Sequence, residues 1–272
     1  MKKTENLLKR EDNILYFDIE TLPCFACVWT TGKQIVTSDN IFKERKIATI
    51  SYMWEGEKKP TTLVFDLQKH NLLKYDDDAD KKILKQFSDV VQQANMIVAH
   101  NGKRFDIPIL KARLIKHGLP DIRPTLIDDS YLLSRGIGFV SHKLNHIARF
   151  LNNEQKLEVH YDLWLKIALN KDANALKLMA KYNEKDVLVL ANVYRRLRSY
   201  INSSMNLTIT RGVSLDDNPS SMCPSCGSSS QKRGLRHTRT GSYQAYSCRN
   251  RNCGKWFQSG TNLLVRSKQY PR

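Results

Sequence analysis

ILYFDI, residues 14–19, is a short apolar run with one charge near its far end, the pattern of a buried strand that delivers a residue at its tip. It continues as FDIET (17–21), which sets Asp18 and Glu20 two residues apart. Side chains at that spacing leave a strand on the same face, where two carboxylates can grip a divalent cation. A solvated strand face carrying two acids is the plain alternative. Against it, Asp18 follows directly on ILYF, and a carboxylate in such a place is costly unless it is paired or bound to metal.

Downstream of this strand, residues 27–31, 47–54 and 61–65 are β-rich and separated by Gly32, Gly56 and Pro60, which suits antiparallel hairpins. Residues 80–94 then place Ile83, Leu84, Phe87, Val90 and Val91 at helical spacing, and MIVAH (96–100) reads as a further buried strand. Helices are expected over 105–117, stopped by Gly118 and Pro120, over 141–151, and over 172–200 with room for one break. Strands first and helices later, with acids at strand tips, predict a mixed α/β layer fold.

Two more segments carry candidate chemistry. AHNGKRFDIPIL (99–110) puts Asp106 at the start of a helix, just after a strand and a glycine turn; an ordinary helix cap fits the same pattern. YNEKD (182–186) sets Tyr182 and Asp186 four residues apart, on one face of a helix, and by itself is compatible with a simple amphipathic helix. Asp128 and Asp129, adjacent acids before a helix, suit caps.

Taken in order, FDIET, N-x3-F-D after an apolar strand and Y-x3-D on a late helix resemble the three exonuclease motifs of the DEDDy branch of the DEDD superfamily, the fold shared with ribonuclease H and polymerase proofreading domains. HNG before FDIP, the HKLNHIARFL segment and DV after the last aspartate add to a likeness, over residues 12–200, to the exonuclease domain of family B polymerases and its stand-alone bacterial and phage relatives. The resemblance implies a ribonuclease H-like mixed sheet flanked by helices and a 3′→5′ exonuclease using two Mg²⁺ or Mn²⁺ ions about 4 Å apart. Asp18 would bridge both ions, Glu20 and Asp186 would complete the site that activates water, and Asp106 would hold the second ion, partly through water. Tyr182, with an ordinary pKa near ~10, would orient the attacking water rather than take its proton. Thr21 and Leu22 would lie beside the terminal nucleotide, and Asn101 and Phe105 would hold the frayed 3′ end. As residue types alone, these four equally suit a turn threonine, a core leucine, a turn asparagine and a core phenylalanine.

Near the other end, Cys223-x2-Cys226 and Cys248-x4-Cys253 stand 21 residues apart, each pair followed by glycine. Four thiolates in two knuckles are what a tetrahedral Zn²⁺ wants, and with all four positions filled by sulfur the zinc is structural. The second pair is two residues longer than the usual C-x2-C. Between the knuckles Lys232, Arg233, Arg236, Arg239 and Tyr243 interleave charge with an aromatic ring, a pattern suited to phosphate contact and base stacking. The segment resembles the zinc ribbons of transposases and transcription proteins; a purely structural ribbon is the alternative. Cys24 and Cys27 form another C-x2-C but have no second pair, and are expected to be buried small residues.

Across all 272 residues, 44 Lys and Arg face 27 Asp and Glu, and the excess of +17 makes a polyanion the expected partner. From residue 202 onward 11 basic residues meet only Asp216 and Asp217. The expected organisation is an exonuclease domain over 12–201, a polar linker over 202–221, a zinc ribbon over 222–260 and a basic tail over 261–272. No apolar run approaches the ~20 residues of a spanning helix, and the first residues carry charges where a signal peptide is apolar. A soluble, cytoplasmic protein with no membrane partner is therefore expected, and the resemblance points to a bacterial or phage-infected cell. Its substrate is expected to be nucleic acid, single-stranded DNA before RNA, with an exoribonuclease or a non-catalytic nucleic-acid-binding adaptor as alternatives.

Overall fold

A computed structural model describes residues 13–33, 35–122, 126–152, 160–206 and 222–264; residue 12, residues 207–221 of the expected linker and residues 265–272 of the expected tail lie outside them. The described residues form two compact units that divide between Tyr194 and Arg195.

The first unit is built on β1 (Ile14–Leu22), the middle strand of a five-stranded sheet. A short pair, β2 (Phe25–Ala26) and β3 (Ile41–Lys43), precedes β4 (Lys46–Trp54) and β5 (Thr61–Val64), and β6 (Met96–Ala99) and β7 (Leu126–Asp129) follow. The sheet order is β5-β4-β1-β6-β7, with β4 antiparallel to β1, and β6 and β7 running parallel. Among the described residues six α-helices accompany the strands: α1 (Lys81–Val91), α2 (Asp106–Lys116), α3 (Ser130–Ser134), α4 (Leu144–Phe150), α5 (Asp162–Asn170) and α6 (Ala173–Leu197).

Periodicity explains the packing. Leu15, Phe17 and Ile19 on alternate positions of β1 enter one core with Ile83, Leu84 and Phe87 of α1, Leu110 and Leu114 of α2, Leu163 and Ile167 of α5, and Leu176 and Met179 of α6. The intervening positions Tyr16, Asp18 and Glu20 therefore share the other face. There Tyr16 meets Tyr194 edge-on at 5.8 Å, and the Tyr194 hydroxyl donates to Asp128 at 2.5 Å. This is the ribonuclease H-like mixed sheet with flanking helices that the motif order predicts.

A buried ionic network fixes the segment between β5 and α1. Asp77 accepts from Lys43 at 2.7 Å and pairs with Lys46, both cations being almost fully buried. Arg113 of α2 donates to Asp80 at 2.7 and 2.9 Å and to Asp76 at 2.7 Å, while Asp80 also accepts from the Ile47 amide. Burial works to raise the Asp77 carboxyl, yet hydrogen bonds from Lys43, Lys46 and the amides of Asn71 and Ala79 outweigh it and hold the group well below the usual carboxylate range. The network ties α2 to β3 and β4, and so sets the position of the helix that begins with Asp106.

Some expectations need correction. Residues 27–31 form no strand: Val28 and Trp29 are exposed, and without a sheet face to cover them their β propensity decides nothing. The helix expected over 172–200 is present and runs from Ala173 to Leu197 without the one break the sequence leaves room for. Cys27 is exposed and Cys24 half-buried, rather than both being core residues.

The second unit contains β8 (Ser230–Thr238), β9 (Gly241–Cys248) and β10 (Trp256–Gln258), an antiparallel sheet in the order β10-β9-β8. Residues 195–206 belong to it. Arg198 Nε donates to the Ser225 carbonyl at 3.1 Å, and Lys255 Nζ to the Ile201 carbonyl at 2.5 Å.

Candidate functional site

Asp18, Glu20 and Asp186 each offer a carboxylate oxygen within 4.8 Å of the others. β1 supplies the first two from one face, and α6 supplies the third. α6 buries a stripe of Leu176, Met179, Asn183, Asp186, Val187 and Leu190, at spacings of three and four residues except the adjacent pair Asp186 and Val187. Two polar residues in the middle of an apolar stripe are costly unless something uses them. Asn183 is fully buried: its Nδ2 donates to Asp18 Oδ2 at 2.7 Å, and its Oδ1 accepts from Thr49 Oγ1 at 3.0 Å. It thereby ties the helix to β1 and β4 and orients the Asp18 carboxylate. Sequence reasoning passed over it, although it sits inside YNEKD.

Three acids this close repel one another and need positive charge between or beside them. The donor set is oxygen only, so the group can hold a divalent cation.

Asp106 is not among these three. It is buried as the first residue of α2, and its Oδ1 accepts from the Ile19 amide at 3.1 Å. That amide is available because the pairing of β1 with β6 stops at Tyr16 and Val98, leaving the next residues of β1 without a strand on that side. Asp106 is thus fixed against the residue between Asp18 and Glu20. The N-cap position of the helix falls on Phe105, which makes no side-chain cap, and Asp106 follows as the first helical residue.

The turn before α2 is held by Asp129. Its Oδ1 accepts from the Asn101 amide at 2.9 Å and its Oδ2 from the Lys103 amide at 3.1 Å, and Oδ1 also accepts from Tyr131 and Leu132 at the start of α3. The cap expected of this residue is present, and it does a second job. Asn101 has φ of 65°, a left-handed conformation that asparagine tolerates better than most side chains. Gly102 has no alternative, because a Cβ there would lie 2.4 Å from that of Ala99.

Beside this turn a cavity of about 540 Å³ is lined by His100, Asn101, Arg104, Tyr131, Lys143 and Asn145 among others. Phe105 is 40% exposed and Tyr182 half-buried, its ring 6.4 Å from that of Trp164. Leu22 is different: the register of β1 on β4 shifts between Glu20 and Thr21, which breaks the alternation, and Leu22 joins the core at 1% exposure. Leu22 is therefore a packed residue, as a core leucine would be, while Thr21 stays half-buried.

In the second unit the four cysteine sulfurs lie within 4.8 Å of one another, with Cys223 to Cys253 at 3.8 Å and Cys226 to Cys248 at 3.5 Å. A tetrahedron with Zn–S bonds of about 2.3 Å has edges of about 3.8 Å, so the cluster has the size such an ion requires. Both knuckles turn on glycine, Gly227 at φ 70° and Gly254 at φ 59°. The longer second pair is accommodated by Asn250, whose carbonyl accepts from Cys253 and Gly254. Burial pushes the Cys223 thiol up to about 11; at Cys226 burial acts the same way, but hydrogen bonds from Ser228, Cys248 and Cys253 outweigh it and bring it to about 7. Four cysteines and a small antiparallel sheet make this a zinc-ribbon arrangement.

A family model of the RNase_H superfamily matches residues 43–198. With its sheet, helices and more than half of its length matched, the chain belongs to that superfamily and carries a nuclease-type domain. The match starts beyond Asp18 and Glu20, so their place beside Asp186 rests on the geometry. Among particular proteins, the chain is 29% identical over 210 residues to a DNA polymerase III of PolC type from Ureaplasma parvum serovar 3, covering 72% of this chain and 12% of that protein. The chain therefore spans about an eighth of the length of the curated relative it matches. Among solved structures, the family B DNA polymerase of the hyperthermophilic archaeon Pyrobaculum calidifontis shares the fold, with a TM-score of 0.51 and 15% identity over 70% of this chain and 25% of that one. No helix among the described residues is long and apolar enough to cross a membrane.

Proposed function

We propose that the chain is a 3′→5′ exonuclease that removes nucleotides from single-stranded DNA with the help of two Mg²⁺ or Mn²⁺ ions. The convergence of Asp18, Glu20 and Asp186, with buried Asp106 bonded to the backbone between the first two, is the observation that carries this reading. An all-oxygen donor set favours Mg²⁺ or Mn²⁺ over Zn²⁺. When bound, such ions supply Lewis-acid stabilisation of the charge that builds up on a phosphodiester under in-line attack.

The chain's own groups divide the remaining work. Asp18, Glu20 and Asp186 hold the cations, and Asp106 adds a fourth carboxylate. Asn183 keeps Asp18 in one orientation by donating to its Oδ2. The Tyr182 hydroxyl positions the attacking water, a role that suits a phenol, which is ordinarily a poor base at neutral pH. Asn101, on its pinned turn, and the exposed Phe105 hold the last bases apart from any partner strand, since an aromatic face stacks on every base. Arg104 and Lys143, which line the neighbouring cavity, offer the charge that phosphates further along the strand would need. The ribbon holds one structural Zn²⁺ and adds affinity for the strand, raising residence through effective concentration.

The test is degradation of DNA and RNA oligonucleotides of one sequence, labelled at either end, with Mg²⁺ or Mn²⁺. A 3′ label on DNA should appear at once in mononucleotide, while a 5′ label should pass through a ladder of shortening products. The opposite pattern, or attack on RNA alone, would overturn the direction or the substrate.

A further inference from the structure

We propose that one face of the ribbon sheet is a platform for single-stranded DNA, with Trp256 as its base-stacking residue and Arg233 and Arg236 as its phosphate contacts. The choice of DNA rests on the function proposed above; the platform itself rests on the ribbon.

Strand register decides which side chains share the face. Cross-strand partners project to the same side, and so do alternate residues of one strand. Trp256 pairs with Ser247, and Ser247 with Gln231; Gln258 pairs with Ala245, and Arg236 with Tyr243. Tyr243, Ala245 and Ser247 alternate along β9, so Gln231, Arg236, Tyr243, Trp256 and Gln258 stand on one face. Arg233 joins them from the irregular stretch between Lys232 and Leu235: its Nε donates to Ser247 Oγ at 2.8 Å, and its guanidinium carbon lies 5.7 Å from the centre of the Trp256 ring. Gly234, at φ 92°, permits that irregularity.

The middle of the face is low and its margins are high. Ala245 and Ser247 are small and covered, whereas Trp256 is 64% exposed and Arg233 and Arg236 are exposed. A cavity of about 310 Å³ opens beside them, with Arg236, Lys255, Trp256, Phe257 and Gln258 in its wall. Tyr243 and Trp256 stand roughly 13 Å apart along the strand direction, at about 3.3 Å per residue, so a strand rather than a single base would reach both.

Charge selects the occupant. Residues 222–264 contain seven Lys and Arg and no Asp or Glu. A protein partner would leave much of this charge without a match, and a duplex would hide its bases from Trp256. A single strand offers unstacked bases to the ring and phosphates to the guanidiniums, and a ring already backed by an arginine gains from both. Lys255 is excluded as a phosphate contact because its ammonium is held by the Ile201 carbonyl. Lys232, a phosphate-contact candidate on its sequence, pairs with Tyr246 on the opposite face and so stands outside this platform.

The experiment uses the full chain, with Ca²⁺ replacing Mg²⁺, and follows binding of labelled oligo-dT by fluorescence anisotropy across a salt series. Trp256→Ala should weaken binding about 10-fold or more and Trp256→Phe should restore most of it, while the zinc content of both stays at wild type. Arg236→Ala should lower the slope of log affinity against log salt by roughly 1, and Lys232→Ala should change it less. Unchanged affinity in a Trp256→Ala protein that retains its zinc overturns the proposal, as does tighter binding of oligo-U than of oligo-dT. Cleavage of a dinucleotide in Mg²⁺ tests the active site separately. Trp256-dependent binding without cleavage keeps the platform and removes the exonuclease; cleavage with Trp256-independent binding does the reverse.

Discussion

Replacing Asn183 by alanine should damage stability and metal affinity together. The side chain is fully buried and makes two hydrogen bonds, one to the charged Asp18 at 2.7 Å and one from Thr49 at 3.0 Å. A bond to a charged group contributes about 1.5–3 kcal/mol and a neutral one about 1 kcal/mol, and Thr49, itself buried, would lose its acceptor. The expected loss is roughly 2–4 kcal/mol, which in a domain of this size lowers Tm by on the order of 5–15 °C. Asp18 would also lose the donor that orients it, and groups in that role typically set about 10–100-fold in metal affinity. Thermal melts with increasing Mn²⁺ read both effects: the metal-free Tm reports stability, and the Mn²⁺ concentration that half-saturates the rise in Tm reports affinity. A lower Tm with an unchanged Mn²⁺ midpoint would refute the positioning role, and an unchanged Tm would refute the packing argument as well.

Two other perturbations follow from buried charge and from sulfur. Because Lys43, Lys46 and backbone amides hold the Asp77 carboxyl below its unfolded value, its contribution to stability is present above about pH 4 and is lost as pH falls through the folded value. Urea unfolding from pH 5 down to pH 2 should show stability falling with acid; in Asp77→Asn the slope should be shallower by up to about 1.4 kcal/mol per pH unit, and an equal slope would contradict the assignment. Stripping the ribbon with a strong zinc chelator should release one zinc per chain and expose four more thiols to a thiol reagent, beyond Cys24 and Cys27. Full thiol reactivity before chelation would mean that the cysteines hold no metal.

Much of this molecule is legible in the chain because its signals are local. ILYFDI is an apolar run, buried on both faces, that carries Asp18 near its end, and residues 81–91 carry a clean helical stripe. Other elements hide. β7 has four residues, two of them acids that serve as a cap and a hydrogen-bond acceptor, so its pattern reads as a loop. α5 ends on Lys171 at φ 52°, where a glycine would have announced the stop. At the site, acids spaced two apart on a strand or closing a Y-x3-D motif within a helix are visible as motifs, but Asn183 is not, since its role exists only once α6 lies against β1 and β4. The burial of Leu22 is hidden as well, because a register shift depends on two strands and a single strand's alternation does not reveal it.

The most direct measurement compares hydrolysis of a 5′-labelled single-stranded DNA by the wild-type chain and by Asp186→Asn over a titration of Mg²⁺ or Mn²⁺. Wild-type activity should be absent without metal and rise to saturation, and the variant should lose at least about 100-fold in rate while still binding the oligonucleotide in Ca²⁺. Equal hydrolysis by both proteins, or hydrolysis by the wild type with no divalent cation present, would contradict the account.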